Sequence, residues 1–259
     1  MTPESASVHP TSVVSPDAVL GSGVRVGAFC SIHANVTVGD GSFVDSHTVL
    51  GAQTADFYAD PASYEPKPCR IGPGAVVRSH SVVYAGVEID AAFECGHHVT
   101  VREGTRIAEG VRVGTYSDLQ GNLTIGRYAR IHSNVFVSQL TTLEEFVWLF
   151  PHVMLADDPH PPSDTCTHGP TIRRFAVISA RAVVFPSVEV GEGALVGAMA
   201  LVRDDVPPNA VVVGVPARVV GSTTDVTCDD GRLDRVYPWW THFRRGYPEG
   251  VLPESGSDA

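Results

Sequence analysis

An aliphatic residue recurs at every sixth position along most of the chain. The series runs through residues 8–50, resumes in 71–155 and returns in 172–202, without a change of register inside each run. An amphipathic helix repeats every 3.6 residues, so a period of six does not predict a helix. The period fits a short strand followed by a turn, repeated many times along the chain.

Three such hexads make one triangular coil of a left-handed parallel β-helix, and we predict this all-β fold. The first residue of each hexad points inward, and stacked strands lie about 4.8 Å apart. Each coil buries its aliphatic residue only against the coils above and below, so many coils are needed. A β-sandwich is the alternative, but sandwich strands have no reason to keep a strict six-residue register.

The pauses in the repeat predict two extruded loops, and its end predicts a short C-terminal tail. The loops are residues 51–70 and 156–171, both rich in proline. Loops of this length in a compact repeat fold are often functional. We assign residues 1–221 to the β-helix domain and 222–259 to a C-terminal extension. The extension contains Trp239, Trp240 and Phe243, so we expect it to pack on the rod or on a neighbouring subunit.

Composition and charge limit the possible binding partners and indicate the cellular compartment. The 259 residues carry a formal net charge of −11, which argues against nucleic acid or an anionic membrane bound by general charge. An anionic small molecule held by local arginines stays possible. The five cysteines form no CxxC pair, and Cys30 and Cys95 fall at inward positions, so reduced thiols are expected. With no apolar run of membrane-spanning length and no secretion signal in "MTPESASVHP", we expect a cytoplasmic protein.

Residues eighteen positions apart lie above one another in the predicted coil, and this places a histidine-rich column at one corner. His97 is the third residue of its hexad, with Thr115 and Ser133 below it. The fourth positions form the neighbouring column, joined by His47 if the first loop replaces no hexad: His80, His98, Tyr116, Asn134 and His152. Both columns should point outward. A solvated side-chain ladder that only stabilises stacking is the alternative to a catalytic site.

The hexads from Val8 to Val202, with the ending "DVPPNAVVVGVPARVVG", resemble the bacterial hexapeptide-repeat acyltransferases. The opening "VHPTSVVSPDAVLGSGVRVGAFCSI" is similar to UDP-N-acetylglucosamine O-acyltransferases. The middle, "GHHVTVRE" through "ARIHSNVFV", and the loop leading to "GPTI" are more similar to N-acetyltransferases of nucleotide-linked amino sugars. The resemblance implies a homotrimer with active sites between adjacent rods, and acyl-CoA or acyl carrier protein as donor.

The resemblance also implies a catalytic base. In the sugar O-acyltransferases the base is the third residue of its hexad, which here is His97 in "CGHHVT". The family has an acid at the next position, where this chain has His98, so His98 is an alternative base. Some amino-sugar members need no protein base. A histidine with an ordinary pKa near 6.5 is suited to accept a proton at neutral pH.

Further residues are expected to bind the substrates. For the acceptor they are the column members His80, Tyr116 and Asn134, together with Arg102, Glu103 and His132. Plain surface contacts, and an ion pair between Arg102 and Glu103, are the alternatives. For the donor they are Gly114 at the thioester oxyanion, Ala180 and Ala198 along the pantetheine arm, and Gly214, Pro216 and Arg218 in "VGVPARVV".

No metal is expected. The second loop holds residues that could ligate one, but their spacing matches no compact zinc pattern: Asp157, Asp158, His160, Cys166 and His168. The resemblance implies transfer of an acetyl or other acyl group from acetyl-CoA or a related thioester to the amino group of a nucleotide-linked amino sugar. The alternatives are O-acylation of a sugar or small hydroxyl compound, a zinc carbonic anhydrase-like protein, and a non-catalytic β-helix scaffold.

Overall fold

The chain winds as a parallel β-helix with three faces. The computed structural model describes residues 5–162 and 165–254. Its strands form three sheets of twelve, ten and nine strands, and successive strands pass from one sheet to the next. The architecture confirms the predicted left-handed β-helix.

Most strands are only two residues long, as a hexad divided between strand and turn requires. The first face contains Ser7–Val8, Arg25–Val26, Phe43–Val44, Val76–Val77, Glu94–Cys95, Arg112–Val113, Arg130–Ile131, Trp148–Leu149, Val177–Ile178, Leu195–Val196, Ala210–Gly214 and Ala217–Ser222. The second contains Val13–Val14, Ser31–Ile32, Val49–Ala52, Val82–Tyr84, Thr100–Val101, Asp118–Leu119, Phe136–Val137, Met154–Leu155, Val183–Val184 and Leu201–Val202. The third contains Val19–Leu20, Val36–Val38, Cys69–Ile71, Glu88–Ile89, Arg106–Ile107, Thr124–Ile125, Thr142–Leu143, Thr171–Ile172 and Glu189–Val190.

The hexad register determines both strand pairing and the core. Val77 pairs with Cys95, and Cys95 pairs with Val113, each eighteen positions further along. All three side chains are buried inside the prism, as the first position of the hexad predicts. Across the two pauses Val44 still pairs with Val77, and Leu149 with Ile178. The inserted residues therefore leave the coil without breaking the aliphatic stack.

Little of the described chain is helical. An α-helix, Ala55–Ala59, lies in the first loop, and two 3-10 helices, Thr223–Asp225 and Trp239–Thr241, lie beyond the repeat. None of the helices among the described residues has the length and apolar character needed to cross a membrane. None of the five cysteines, all within the described residues, forms a disulfide, and Cys30 and Cys95 are buried at the inward positions that their register predicts.

The C-terminal extension returns along the rod and packs on it. The strands Ala210–Gly214 and Ala217–Ser222 form an antiparallel hairpin at the end of the first face. The chain then brings Trp239 and Trp240, both buried, against the turns that join the third face to the first. We name these turns the aromatic corner after the stacked rings of Tyr128, Phe146 and Phe175. Residues 255–259 of the predicted extension lie outside the described residues.

Candidate active site

The turns that join the first face to the second form what we name the histidine corner, residues 9–12, 27–30, 45–48, 78–81, 96–99, 114–117, 132–135, 150–153, 179–182 and 197–200. Its fourth-position residues have left-handed backbone, with φ of 60° at His47, 63° at His80, 55° at His98 and 62° at Tyr116. The same backbone shape in every coil directs these side chains outward, one above another. Their rings stack with centroids 4.8, 4.7 and 4.9 Å apart, in that order. His47 thus belongs to the column.

His97 is exposed beside this column and is held from the coils above and below. Its ring Nδ1 lies 2.8 Å from Ser79 Oγ, and its backbone N–H donates to Thr115 Oγ1 at 3.2 Å. Within the described part of the chain, its Nε2 has no hydrogen-bond partner. When Nδ1–H donates to Ser79, the Nε2 lone pair faces outward and can accept a proton.

Stacking in the histidine column changes the pKa of His80. The pKa of His80 is lowered, first because the neighbouring rings desolvate it and then because positive charge on His98 and His47 would repel its own. Stacked imidazoles under 5 Å apart cannot all be protonated without mutual repulsion. The stacking therefore favours the neutral form of His80, one coil above His98.

A groove of about 450 Å³ runs along the first face next to the histidine corner. Gly96, Gly114 and Thr115 border it on the side of His97. Four arginines and one carboxylate line the rest together with hydrophobic residues, so we name it the arginine groove: Arg78, Glu94, Arg112, Arg130 and Arg245. Sequence reasoning missed these residues, although Glu94, Arg112 and Arg130 are spaced eighteen apart and their stacking was readable from the repeat.

His132 lies in the same groove two coils below His97. Its ring stacks on Phe150 with centroids 4.8 Å apart, and Trp148 lies at 5.6 Å. Desolvation by these rings lowers the pKa of His132. Asn134 is exposed on the same turn. The structure thus brings His132 and Asn134 to the corner that carries His97.

Gly114 cannot be replaced without moving the next coil. A Cβ built on Gly114 would lie 2.4 Å from the backbone of His132 and Ser133. Its N–H, however, already donates to the Ile131 carbonyl at 2.7 Å, so the predicted oxyanion donor is committed to the strand ladder. The N–H of Thr115 borders the same groove and has no hydrogen-bond partner among the described residues.

Arg102 and Glu103 lie elsewhere. They occupy the turn that joins the second face to the third, where the Arg102 guanidinium donates to the Glu103 carboxylate at 3.2 and 2.9 Å. Arg102 also lies over the Tyr84 ring, 5.5 Å from its centroid. The structure therefore does not bring this pair together with His97 within one chain, and the ion pair weighed as the alternative is formed.

The predicted donor residues lie further down the rod. Ala180 and Ala198 are third-position residues of the histidine corner, and Ala180 lies four coils below His97, about 19 Å at the usual strand spacing. Gly214, Pro216 and Arg218 belong to the terminal hairpin. Arg218 is exposed, 3.6 Å from the Asp204 carboxylate.

Residues of the second loop do not form a metal site in the part of the chain that the structure describes. No group of three or more His, Cys, Asp or Glu side chains there is placed to hold a metal ion. His160, Cys166 and His168 belong to the residues that the structure describes.

Known proteins resemble the chain in sequence and in fold. The family model "Bacterial transferase hexapeptide (six repeats)" matches residues 17–52. An acyl-[acyl-carrier-protein]–UDP-N-acetylglucosamine O-acyltransferase of Sinorhizobium fredii is 28% identical over 85% of this chain and 73% of its own length. Galactoside O-acetyltransferase of Escherichia coli is 29% identical over 42% of this chain, and the match spans 59% of that relative. The solved Arabidopsis UDP-N-acetylglucosamine acyltransferase superposes with a TM-score of 0.59 at 18% identity, over 83% of this chain and 74% of that one.

These matches confirm the resemblance to the hexapeptide-repeat acyltransferases. The likeness to the Arabidopsis structure concerns the fold, and the sequence matches are to proteins named as acyltransferases or acetyltransferases. Acyl transfer is therefore the class of activity that the relatives support.

Proposed function

We propose that the chain is an acyltransferase that moves an acetyl or other acyl group from a CoA thioester to the amino group of a nucleotide-linked amino sugar. The observation that carries the proposal is His97, whose ring is fixed through Nδ1 while Nε2 is left open beside the arginine groove. The names of the UDP-N-acetylglucosamine acyltransferases support a nucleotide sugar as acceptor. O-acylation of a sugar is the second candidate, supported by the names of the same relatives and of galactoside O-acetyltransferase.

The proposed reaction needs one base and one oxyanion donor. The neutral amine attacks the thioester carbonyl carbon, so a C–N bond forms, and the C–S bond breaks as the tetrahedral intermediate collapses. His97 Nε2 takes the proton from the attacking nitrogen and returns it to the departing sulfur, which leaves as the CoA thiol. Ser79 positions the ring by accepting from Nδ1–H. His98, the neighbouring member of the column, is the alternative base.

We assign the oxyanion donor to the backbone N–H of Thr115. A Cβ at position 96 would lie 2.5 Å from this nitrogen and would cover it, and glycine at that position leaves the N–H open. A preorganised N–H directed at the developing negative charge is the usual device in acyl transfer. The acceptor would then lie among His80, Tyr116, His132 and Asn134, on the same corner.

The donor is proposed to follow the small side chains of the histidine corner. Ala180 and Ala198 would leave room for a pantetheine arm, and Arg218 in the terminal hairpin would pair with a CoA phosphate. Residues 1–221 would form the transferase domain, with 222–259 as an extension that borders the groove.

We propose a cytoplasmic homotrimer in which adjacent rods meet at the histidine corner. Exposed apolar side chains in the fourth-position column support this, with Phe29 at 59% exposure, Tyr116 at 59% and Met199 at 66%. Exposed apolar residues aligned along one edge are typical of an interface. Light scattering on the purified protein tests the stoichiometry, and a monomeric mass at micromolar concentration would contradict it.

The activity is tested by release of free thiol from acetyl-CoA. Purified protein is incubated with UDP- and dTDP-linked amino sugars, each matched with the sugar that has a hydroxyl in place of the amine. We expect thiol release that depends on the amine. Release with the hydroxyl sugars alone favours O-acylation, whereas no release with either set contradicts acyl transfer to these acceptors.

A further inference from the structure

The arginine groove concentrates positive charge in an acidic protein. Glu94 pairs with Arg78 at 2.6 Å and with Arg112 at 3.2 Å. Arg130 and Arg245 also line the groove. Four guanidinium groups against one carboxylate leave three positive charges without a counter-charge in the groove, although the whole chain carries −11. Such a surface is built to attract an anion.

Arg130 is the least expected of the four because it is buried, with 7% exposure. Its guanidinium donates to the carbonyls of Gly110 at 2.7 Å and Gly246 at 2.8 Å, and it lies 4.3 Å from the centroid of the Tyr247 ring. Among the described residues no carboxylate lies within ion-pair distance of it. Burying a charge without a counter-ion is costly, so an anion from outside the chain would complete this arrangement.

The C-terminal extension supplies the other side of the groove. Phe243 and Arg245 line it, and Phe243 meets Trp148 edge-to-face with ring centroids 5.4 Å apart. Arg245 is exposed and has no hydrogen bond or ion pair among the described residues. Between these cations the backbone of Gly246 passes so close to Arg112 that a Cβ would lie 2.9 Å from its guanidinium. The extension thus adds a free cation next to two arginines of the rod.

We propose that the arginine groove binds a phosphate or diphosphate group of a substrate through Arg112, Arg130 and Arg245. The groove reaches Gly96 and Thr115, the neighbours of His97, so a phosphate held there would fix the substrate relative to the base. This placement rests on the proposed function, whereas phosphate binding itself does not. The phosphate could belong to the nucleotide of the acceptor or to CoA.

Binding is measured without any acyl transfer, so this test and the thiol-release test can fail separately. The probes are uridine diphosphate, adenosine 3′,5′-bisphosphate and inorganic pyrophosphate, titrated by calorimetry or by intrinsic tryptophan fluorescence. Arg112→Gln and Arg245→Gln each remove one groove cation. Arg106→Gln is the matched control, because Arg106 is an exposed strand arginine of the third face paired with Glu88 at 3.5 Å.

We expect each groove variant to weaken binding by about tenfold or more, the value of one charged hydrogen bond, while the control binds like the wild type. Tighter binding of uridine diphosphate assigns the groove to the acceptor, and tighter binding of the bisphosphate assigns it to CoA. Absence of binding by all three probes, or equal binding by wild type and both groove variants, overturns the proposal.

Discussion

Truncating Trp239 tests how the C-terminal extension is held on the rod. The side chain is 7% exposed, and its Nε1–H donates to the Phe175 carbonyl at 3.2 Å. Its ring lies 5.7 to 6.1 Å from the rings of Trp148, Phe175 and Tyr247. Trp239→Ala removes this packing and leaves the carbonyl without its donor.

The expected loss is about 3 to 5 kcal/mol for the truncated aromatic side chain. The rod has its own aliphatic core and gains stability coil by coil, so this loss falls on docking of the extension rather than on the rod. A loss of 3 kcal/mol multiplies the undocked fraction about 150-fold, up to the limit of a fully undocked extension.

Limited trypsin digestion measures the fraction of chains with the extension undocked, because the cleavage rate follows the population of the open form when docking is fast. The cleavable positions are the arginines of the extension: Arg232, Arg235, Arg244 and Arg245. We expect Trp239→Ala to release the extension much faster while the far-ultraviolet spectrum of the rod is unchanged. Tyr58→Ala, in the exposed first loop, serves as a remote control. Digestion of the Trp239→Ala variant at the wild-type rate, or unfolding of the rod together with release of the extension, would refute the reasoning.

Four further outcomes are expected. His97→Ala should lower turnover about a hundredfold or more while the assembly stays unchanged. His152→Ala, three coils below, should leave turnover unchanged. A wild-type rate in the His97 variant would move the role of catalytic base to His98 or to no residue. Gly114→Ala should lower the free energy of unfolding by about 1 to 3 kcal/mol in a denaturant titration, because its Cβ meets backbone, and an unchanged midpoint contradicts the close approach. The lowered pKa of His132 means that its neutral form stabilises the fold above the ordinary value near 6.5 and that this contribution is lost as pH falls; NMR titration should place its midpoint below that value. Three of the five thiols are buried, so a thiol reagent should label two in the folded chain and five after unfolding, and a third fast thiol would contradict the burial.

The coil could be predicted because its contacts occur at a fixed offset in sequence. In each coil residue i lies next to residue i+18. Val77, Cys95 and Val113 therefore stack inside the prism, and the histidine rings stack outside it. The step from His47 to His80 depended on whether the first loop replaces a hexad, and the structure shows that the loop leaves the register intact. A repeat thus converts sequence spacing directly into neighbours.

The groove could be predicted only in part. Glu94, Arg112 and Arg130 share the offset of eighteen, but Phe243 and Arg245 reach them from an extension that has no period. Arg130 meets Gly246 across 116 positions, and only the packing of the extension on the aromatic corner brings them together. Arg102 shows the opposite case: it is close to His97 in sequence, but that short separation places it one corner further around the prism.

The acidic chain and its cationic groove are compatible because charge acts over different ranges. At physiological salt the screening length is about 8 Å, so a phosphate in the groove feels mainly the nearest arginines and little of the net −11. Arg130 is the member least screened by water, since it is buried beneath the extension. Its charge is held by the carbonyls of Gly110 and Gly246 rather than by a carboxylate, so it stays available to an incoming anion. Docking of the extension and recognition of a phosphate would therefore depend on the same guanidinium, and the part of the chain outside the repeat would contribute directly to the site beside His97.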